Sequence, residues 1–315
     1  MKKVYGLCML LLLTACGDKY VEPLVFGAVT WPGYEPAYVA RELGYLDEKN
    51  IHLAEFTNTT EVLRAFRNGK LHIAGLTLDE ALELRKDIPD LQIFLAADFS
   101  NGADMLMARR DIGNLNQLKG KRIGVEKTAL GAYFLSLILQ EAHLSGKDIQ
   151  IVSLPLDEHV SAFRAGRVDA IVTFGLVVDA LKREGAGVLF DSSKVPGKIV
   201  DTLVVRASDA DEHEMQLHEF THAWFRGLAA IRQDHAHTYS FMAQREQVSE
   251  AEIVATLGGL QLIDQQDNLK QIIGNPPPLL VTGTEIQRVL KENGLATGSD
   301  NLSRLFNPHF IEDHP

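Results

Sequence analysis

The sequence predicts an α/β protein made of two lobes that are joined by a two-strand hinge. From residue 24 onward, short β-rich runs alternate with helical patterns, which is typical of βαβ units and of a mainly parallel sheet. The alternation occurs in two successive series, and a stretch of helices alone follows them. The composition, with 46% hydrophobic and 23% charged residues, is that of an ordinary soluble globular protein.

The first series predicts the first lobe. Hydrophobic runs predict strands at residues 24–30, 51–56, 73–74, 91–96 and 105–108. Helical spacing predicts a helix at residues 35–43, which Gly44 ends, and another around residues 62–66, which Asn68 and Gly69 end. This part of the chain is therefore expected to form one α/β unit.

The second series predicts the second lobe, and helices follow it. Strands are expected at residues 122–125, 149–154, 170–173 and 188–190, with helices at residues 131–142, 158–165 and 176–183. A further apolar run spans residues 199–205. Helices alone are expected from about residue 212 to 262, then a stiff break at the prolines of residues 276–278, and a last helix near residues 284–293.

Two crossings between the lobes are expected, at residues 105–109 and 202–206. They divide the chain into a discontinuous first lobe, residues 24–107 and 204–315, and a second lobe, residues 108–203. Two crossing strands form a hinge, and a hinge between lobes creates a cleft that can close on a ligand. Because ligands of open sheets bind at the carboxyl ends of the strands, the candidate site residues are those that follow the strands.

The N-terminal residues resemble a bacterial lipoprotein signal. Lys2 and Lys3 precede an apolar run at residues 4–13, and Leu13-Thr14-Ala15-Cys16 matches a lipobox, Leu-small-Ala-Cys. We expect residues 1–15 to be removed, Cys16 to be lipidated, and residues 16–23 to tether the protein to a membrane. An apolar run of about half the roughly 20 residues that span a bilayer disfavours a transmembrane helix. An ordinary secretory peptide with a chance cysteine remains the alternative.

Cysteine content and charge restrict the function classes. Cys8 lies in the predicted signal peptide and Cys16 would be acylated, so the mature chain is expected to have no disulfide. The 31 Lys and Arg against 42 Asp and Glu give a net charge of −11, which becomes −13 when Lys2 and Lys3 are removed. This charge argues against nucleic acid as a partner and against direct adhesion to anionic lipid.

Two aromatic residues follow the first predicted strand. Trp31 and Tyr34 lie in a loop that contains proline and glycine, at the carboxyl end of the strand. Such rings offer rigid faces for stacking on a planar or cationic group. The alternative is that Trp31 covers the hydrophobic core.

Three polar residues follow the third predicted strand. Thr77 and Glu80 have the spacing of a capping box, in which both side chains satisfy free N–H groups of a helix start. That structural role accounts for Thr77, Asp79 and Glu80. A helix start at the cleft is also a place where ligands bind, so all three are candidate site residues.

Polar residues also lie near the first crossing and in the second lobe. Ser100 and Asp104 belong to a glycine-containing turn that enters the hinge and could contact both lobes; a solvated turn is the alternative. Lys127 and Thr128 join a strand to a helix, where backbone N–H groups can receive an anionic or polar group. The alternative is an ordinary helix cap by Thr128. The sequence has no nucleotide phosphate loop.

The charged candidates favour one ligand class slightly over another. Asp79, Glu80, Asp104 and Asp201 beside two aromatic residues favour a nitrogen-containing ligand, cationic or heteroaromatic, over a sulfonate. Lys127 favours the opposite.

A zinc-protease spacing occurs in the helical part. His218-Glu219-Phe220-Thr221-His222 is a literal His-Glu-x-x-His. The predicted buried stripe of that helix comprises Leu217, Phe220, Trp224, Leu228 and Ile231, which places His218 and His222 on another face. Phe225 stands where a metzincin would carry glycine, so a zinc hydrolase is a remote alternative.

Three stretches together resemble a known family. Residues 31–40, WPGYEPAYVA, residues 118–125, LKGKRIGV, and residues 162–170, AFRAGRVDA, are similar to the nitrate, sulfonate, taurine and thiamine-precursor branch of periplasmic substrate-binding proteins. The resemblance runs from about residue 24 to the C-terminus. It implies a type II periplasmic-binding-protein fold, a ligand held between the lobes, and delivery to a membrane permease with a cytoplasmic ATPase.

The resemblance also implies a set of binding positions. It maps the family's binding loops onto Trp31, Tyr34, Asn58, Thr77, Asp79, Ser100, Asp104, Lys127, Thr128 and Phe174. Two departures affect this mapping. His72 stands where relatives usually carry aspartate, and Phe174-Gly175 replaces the frequent Glu-Pro of the last loop in the second lobe. The second departure puts any inherited ligand contact at Phe174 in doubt.

The expected function is capture of a small organic solute by lobe closure, without catalysis. We expect a monomer that is lipid-anchored on the extracytoplasmic side of a bacterial membrane and partnered by an ABC permease. No catalytic residue, cofactor, metal or nucleic acid is expected. A sensor that reports the ligand to a membrane signalling protein uses the same clamp and is the alternative. Gly17 after the lipidated cysteine leaves open which membrane the protein is sorted to.

Overall fold

The computed structural model describes residues 21–292, 302 and 304–312. The predicted signal peptide and the predicted lipidation site at Cys16 lie outside the described residues, so the structure does not bear on them. Among the residues it describes, no helix combines the length and the apolar character that crossing a membrane requires.

Strands and helices alternate along the described chain. The strands are β1 (Leu24–Val29), β2 (Ile51–Phe56), β3 (Ile73–Thr77), β4 (Leu91–Ser100), β5 (Asp104–Ala108), β6 (Arg122–Val125), β7 (Gln150–Ser153), β8 (Ala170–Phe174), β9 (Gly187–Asp191), β10 (Val200–Arg206) and β11 (Leu260–Leu262). The helices are α1 (Glu35–Glu42), α2 (Thr59–Arg67), α3 (Leu78–Leu84), α4 (Ala129–Glu141), α5 (His159–Arg164), α6 (Val177–Arg183), α7 (Ala207–Glu212), α8 (Glu214–Gln233), α9 (His235–Glu246), α10 (Glu250–Leu257), α11 (Gln265–Ile272) and α12 (Pro278–Glu292).

The strands form two sheets with the same arrangement. The first sheet has six strands in the order β11-β4-β10-β3-β1-β2, and the second has five in the order β7-β6-β8-β5-β9. In each sheet one strand runs antiparallel to its two neighbours. In the first sheet β10 pairs with β3 and β4, and in the second sheet β5 pairs with β8 and β9. The predicted α/β fold with two separate sheets is confirmed.

β5 and β10, the two strands predicted to cross between the lobes, each belong to one sheet, which corrects the predicted positions of the crossings. β5 hydrogen-bonds to strands of the second sheet alone, and β10 to strands of the first sheet alone. The chain passes between the sheets just before each of these strands, at residues 101–103 and 192–199. Both strands are largely buried on both faces, so their hydrophobic pattern does not reveal which sheet they join.

Other elements differ from the predictions at their ends. β4 continues to Ser100, four residues past its predicted end, so Asp98 and Ser100 belong to a strand and only residues 101–103 form the turn. The strand β11 was predicted as helix, and it extends the first sheet by pairing with β4. α12 begins at Pro278, where a proline at the start of a helix loses no hydrogen bond.

Helix α8 packs its predicted stripe into the core of the first sheet. Leu217, Phe220, Trp224, Leu228 and Ile231 are all buried. A side chain at Gly227 would place its Cβ 2.1 Å from the backbone oxygen of Pro36, so glycine allows α8 to approach α1 closely. This packing fixes the loop before α1, which carries two of the predicted site residues.

Candidate functional site

The candidate site lies where the carboxyl edges of the two sheets face each other. Register pairing places Asp201 of β10 beside Thr77 and Asp98, at the ends of β3 and β4. In the second sheet, Asp104 of β5 pairs with Phe174 at the end of β8. The polar residues that follow or end these strands therefore converge on one cleft, as expected for open α/β sheets.

A small cavity of about 20 Å³, room for little more than one water molecule, lies in this cleft and is lined from both sheets. The residues that line it are Val29, Trp31, Tyr34, Thr59, Gly75, Thr77, Glu80, Asp104, Leu130, Phe174 and Asp201. Seven of these were predicted from the sequence, namely Trp31, Tyr34, Thr77, Glu80, Asp104, Phe174 and Asp201.

Aromatic rings from opposite sheets form two walls of the cavity. The rings of Trp31 and Phe174 meet edge to face, with centroids 5.7 Å apart. Gly175 has φ +62, a left-handed conformation that favours glycine, and a Cβ there would make only an ordinary contact of 3.5 Å with the Trp31 ring. The Phe174-Gly175 departure from the family pattern thus supplies an aromatic wall where a charged residue is usual.

Hydrogen bonds hold the side chains of Trp31 and Tyr34 against carboxyl groups. The Nε1 of Trp31 donates to Asp98 Oδ2 at 3.1 Å, and the hydroxyl of Tyr34 donates to Asp201 Oδ1 at 2.7 Å. The loop between them is tight: a Cβ on Gly33 would lie 1.8 Å from Asp98 Oδ2. Trp31 is therefore oriented by a polar partner in the cleft as well as covering the core.

Four buried carboxyl groups surround the cavity. Asp98, Asp201, Asp104 and Glu80 are each at most 5% exposed. Burial raises the pKa of Asp98 and of Glu80 to about 8 and the pKa of Asp104 to about 7. Burial also raises the pKa of Asp201 well above its usual range, and the neighbouring Asp98 raises it further. These groups hold protons near neutral pH because water is excluded and their neighbours carry the same charge.

The start of α3 supplies Thr77, Asp79 and Glu80. Half of the predicted capping box is formed: Glu80 Oε2 accepts from the Thr77 backbone N–H at 3.2 Å, whereas Thr77 Oγ1 has no hydrogen-bond partner among the described residues. Thr77 and Glu80 line the cavity, so the structural role and the place in the cleft coincide. Asp79 is fully buried beside them but is not part of the cavity wall, and burial raises its pKa to about 7.

Polar contacts join the two sheets around the cavity. Glu126 Oε1, from the loop after β6, accepts from both the backbone N–H and the hydroxyl of Thr60 at 3.0 and 2.9 Å. Asn58 caps α2 through Glu61 and also donates from Nδ2 to Asp157 Oδ1 at 3.2 Å. The structure therefore represents the arrangement in which the two edges are in contact.

The remaining predicted residues lie outside the cavity wall. Lys127 is exposed, and Thr128 accepts from the Gly131 N–H at 3.2 Å as the cap of α4. Ser100 is buried, shares a hydrogen bond of 2.7 Å with Ser192, and accepts from the Asp104 N–H. Asn58 bridges the sheets as described above. His72, the other departure from the family pattern, accepts from the Val25 N–H at 2.9 Å, away from the cavity.

Sequence reasoning missed several residues of the site. Val29, Thr59, Gly75 and Leu130 line the cavity but carry no distinctive polar signal. Asp98, which lies beyond the predicted end of its strand at residue 96, was not among the predicted site residues, and its position inside β4 is what directs it at Trp31. An aspartate inside an otherwise apolar strand is an unusual pattern, and it is the signal that points to the site.

The His-Glu-x-x-His segment does not form a metal site of that pattern. Glu219 Oε1 accepts from the Asp47 backbone N–H at 3.2 Å, and His222 is exposed. Within the described ranges, the side chains near enough together to hold an ion are Glu214, His218 and His309, a group without His222. The geometry that a zinc hydrolase of this motif needs is therefore missing.

Comparison with known proteins identifies relatives over much of the chain. A family model described as NMT1/THI5 like matches residues 31–236. The taurine-binding periplasmic protein of Escherichia coli (strain K12) is 26% identical over 186 residues. This match covers 57% of the chain and 58% of the relative, so the chain matches little more than half the length of that protein.

Solved structures share the fold over nearly the whole chain. The alkanesulfonate-binding protein SsuA from Xanthomonas axonopodis pv. citri bound to MOPS has a TM-score of 0.75 at 17% identity, covering 88% of this chain and 94% of that one. The ligand binding component of an ABC-type import system from Staphylococcus aureus with zinc bound has a TM-score of 0.76 at 12% identity, covering 92% and 98%. These likenesses confirm the predicted type II periplasmic-binding-protein fold.

Proposed function

The chain belongs to the NMT1/THI5-like family, and from this premise we propose that it is the extracytoplasmic solute-binding protein of an ABC-type importer. It captures a small organic solute between its two sheets and delivers that solute to a membrane permease. Binding involves no covalent chemistry, and the protein acts as a monomer. The two sheets with their helices move as two lobes about the links at residues 101–103 and 192–199.

The observation that carries this proposal is a single cavity whose walls come from both sheets. Trp31, Tyr34 and Asp201 belong to the first sheet or its loops, and Asp104 and Phe174 belong to the second. A ligand in this cavity touches both halves, so its binding energy favours the arrangement in which they are in contact. This role agrees with two of the similar proteins, a taurine-binding periplasmic protein and the ligand binding component of an ABC-type import system.

The polar contacts across the cleft add to the same mechanism. The pairs Glu126–Thr60 and Asn58–Asp157 connect the sheets without a ligand. Each such hydrogen bond contributes about 0.5–1.5 kcal/mol, which is small enough for the ligand to determine the position of the opening equilibrium. The permease can then distinguish the loaded protein from the empty one by its shape.

Membrane attachment through Cys16 is part of the proposal. Acylation at Cys16 would keep the protein at the membrane where the permease lies, because more than one acyl chain anchors a protein stably. Growth with a radiolabelled fatty acid tests this: label should enter the wild-type protein and be absent from Cys16→Ser. Equal labelling of both proteins would exclude this anchor.

Deletion of the gene tests the importer role. If the protein feeds an importer, the deletion strain loses uptake of the solute that the purified protein binds, and a plasmid copy restores it. The sensor alternative predicts normal uptake with altered transcription or signalling after the solute is added. Normal uptake in the deletion strain would therefore contradict the importer role.

A further inference from the structure

We infer that the solute is a small organic cation, a compound with a protonated nitrogen that sits among the carboxyl groups and aromatic rings of the cleft. The inference rests on the proposed function and specifies the ligand class of that same site. It is carried by the acidic and aromatic side chains around the cavity and by the absence of basic ones among the lining residues of the described chain.

Acidic groups line the cavity from both sheets. Asp201 comes from the first sheet, Glu80 from helix α3, which packs on that sheet, and Asp104 from the second sheet. Asp98 lies directly behind this wall, where it accepts the hydrogen bond of Trp31. A cation between these residues would be attracted by carboxylates on more than one side, and it would join the two sheets through them.

Three of these carboxyl groups have an atom that the rest of the site does not satisfy. Asp98 Oδ1, Asp104 Oδ2 and Glu80 Oε1 are buried and have no hydrogen-bond partner among the residues that the structure describes. Leaving a buried polar atom without a partner costs roughly 1–3 kcal/mol, a cost that purely structural positions avoid. The N–H groups of a bound protonated nitrogen would supply the missing donors.

Basic side chains are missing from the cavity wall. None of the lining residues in the described chain is Lys, Arg or His. Lys127, the cation nearest in sequence to the cleft residue Glu126, is exposed. An anion placed here would lose its hydration beside several carboxyl groups and gain no opposite charge, which is strongly unfavourable.

Aromatic faces complete a cation site. Trp31, Tyr34 and Phe174 all line the cavity, and Trp is the aromatic residue that attracts a cation best. The polar groups of Trp31 and Tyr34 point to carboxyl oxygens: Trp31 Nε1 donates to Asp98, and the Tyr34 hydroxyl donates to Asp201. Their polar atoms are therefore already paired, and a ligand in the cavity would meet both residues through their rings.

Cation binding should couple to proton release. The raised pKa values of Asp98, Glu80 and Asp104 mean that a cation replaces protons that these groups hold near pH 7, so its affinity should rise from pH 6 to pH 8. An anion would show the opposite dependence. The ionisable groups that face this cluster are Tyr34, Asp79, Glu80, Asp98, Asp104, Glu126, Tyr133, Asp157 and Asp201.

Calorimetric titration of the mature chain, carrying Cys16→Ser to prevent acylation, tests the ligand class. The cationic probes are putrescine and 2-phenylethylamine, each paired with a neutral compound of similar shape, namely 1,4-butanediol and 2-phenylethanol. Taurine and nitrate are the anionic probes. At least one cation should bind more than tenfold more tightly than its neutral counterpart at pH 7.5, and its Kd should fall at least threefold between pH 6 and pH 8.

Variants locate the binding to the cleft. Asp201→Asn should weaken the binding of that cation at least tenfold, while Asp211→Asn, the same substitution at an exposed position on α7, should leave the Kd unchanged. An equal Kd for Asp201→Asn and the wild-type protein would overturn the inference, because the cleft carboxylates would then play no part.

The remaining outcomes separate the ligand class from the proposed function. Tight binding of taurine, nitrate or a neutral compound in preference to every cation would overturn the cation inference and leave the solute-binding function intact. The inference also fails if no cationic probe binds while the deletion strain loses uptake of an anionic or neutral solute. Failure of all probes together with normal uptake in the deletion strain would reject the solute-binding function itself.

Discussion

Replacement of Asp98 by Asn should stabilise the ligand-free protein near neutral pH. Asp98 is fully buried at the end of β4, and burial, with the neighbouring Asp104, raises its pKa from 3.8 to about 8. Asn has nearly the same volume, and its carbonyl oxygen can still accept the hydrogen bond of Trp31. The substitution therefore removes the titrating group while the packing is kept.

The sign and size of the effect follow from this raised pKa. The unfolded chain releases the Asp98 proton above about pH 4, whereas the folded protein holds it until about pH 8, so folding is increasingly opposed between these values. A difference of about 4 pKa units corresponds to a ceiling on the order of 5 kcal/mol at pH 8. Part of this cost is shared with the neighbouring Asp201, and the Asn side chain still buries an amide. We therefore expect Asp98→Asn to raise the free energy of unfolding at pH 8 by about 1–3 kcal/mol.

Urea denaturation at pH 4 and pH 8 measures this gain. The free energy of unfolding of Asp98→Asn should exceed that of the wild-type protein at pH 8, and the two should nearly coincide at pH 4. Asp211→Asn, on the exposed surface of α7, is the matched control and should change stability little at either pH. A variant that is less stable than the wild-type protein at pH 8 would refute the reasoning that the cleft carboxyls are costly in the empty site.

Three further perturbations probe the geometry of the cleft. Gly33→Ala should lower the Tm by about 5 °C, because the new Cβ would lie 1.8 Å from Asp98 Oδ2. Gly146→Ala is the control and should leave the Tm unchanged, since Gly146 has open space around it; equal Tm values for the two variants would contradict the contact at Gly33. Ligand should change the fluorescence of Trp31, so the change should vanish in Trp31→Phe and persist in Trp224→Phe; its persistence in Trp31→Phe would place the ligand elsewhere. Thr60→Val removes one of the two donors to Glu126 and should speed ligand release in stopped flow about 3–10-fold, with an unchanged rate counting against closure through this contact.

The alternation of strands and helices could be predicted because it follows from local patterns. Residues 51–56 and 122–125 were predicted with the bounds that the structure has, since β-rich runs there end at clear polar or turn signals. The sheet to which β5 and β10 belong could not be predicted. Strands buried on both faces look alike whichever sheet they join, and their place is decided by long-range pairing.

The candidate site was predictable in part for the same reason. Residues that follow strands, such as Trp31 and Thr77, were found because the carboxyl ends of strands are the usual place for ligands. The role of Asp98 depends on β4 continuing through a buried aspartate, which a hydrophobic pattern alone does not allow. Lys127 was included because it follows a strand, but the side chain is exposed, since only tertiary contacts decide which side of a loop faces the cleft.

Small-angle X-ray scattering of the mature protein, with and without the solute that it binds, tests the central claim most directly. If the cavity between the two sheets is the ligand site, saturating solute should reduce the radius of gyration and bring the profile to that calculated from the present structure, in which Glu126 contacts Thr60 across the cleft. A radius of gyration that stays the same when a tightly bound solute is added, with a profile that fits separated sheets throughout, would contradict the account.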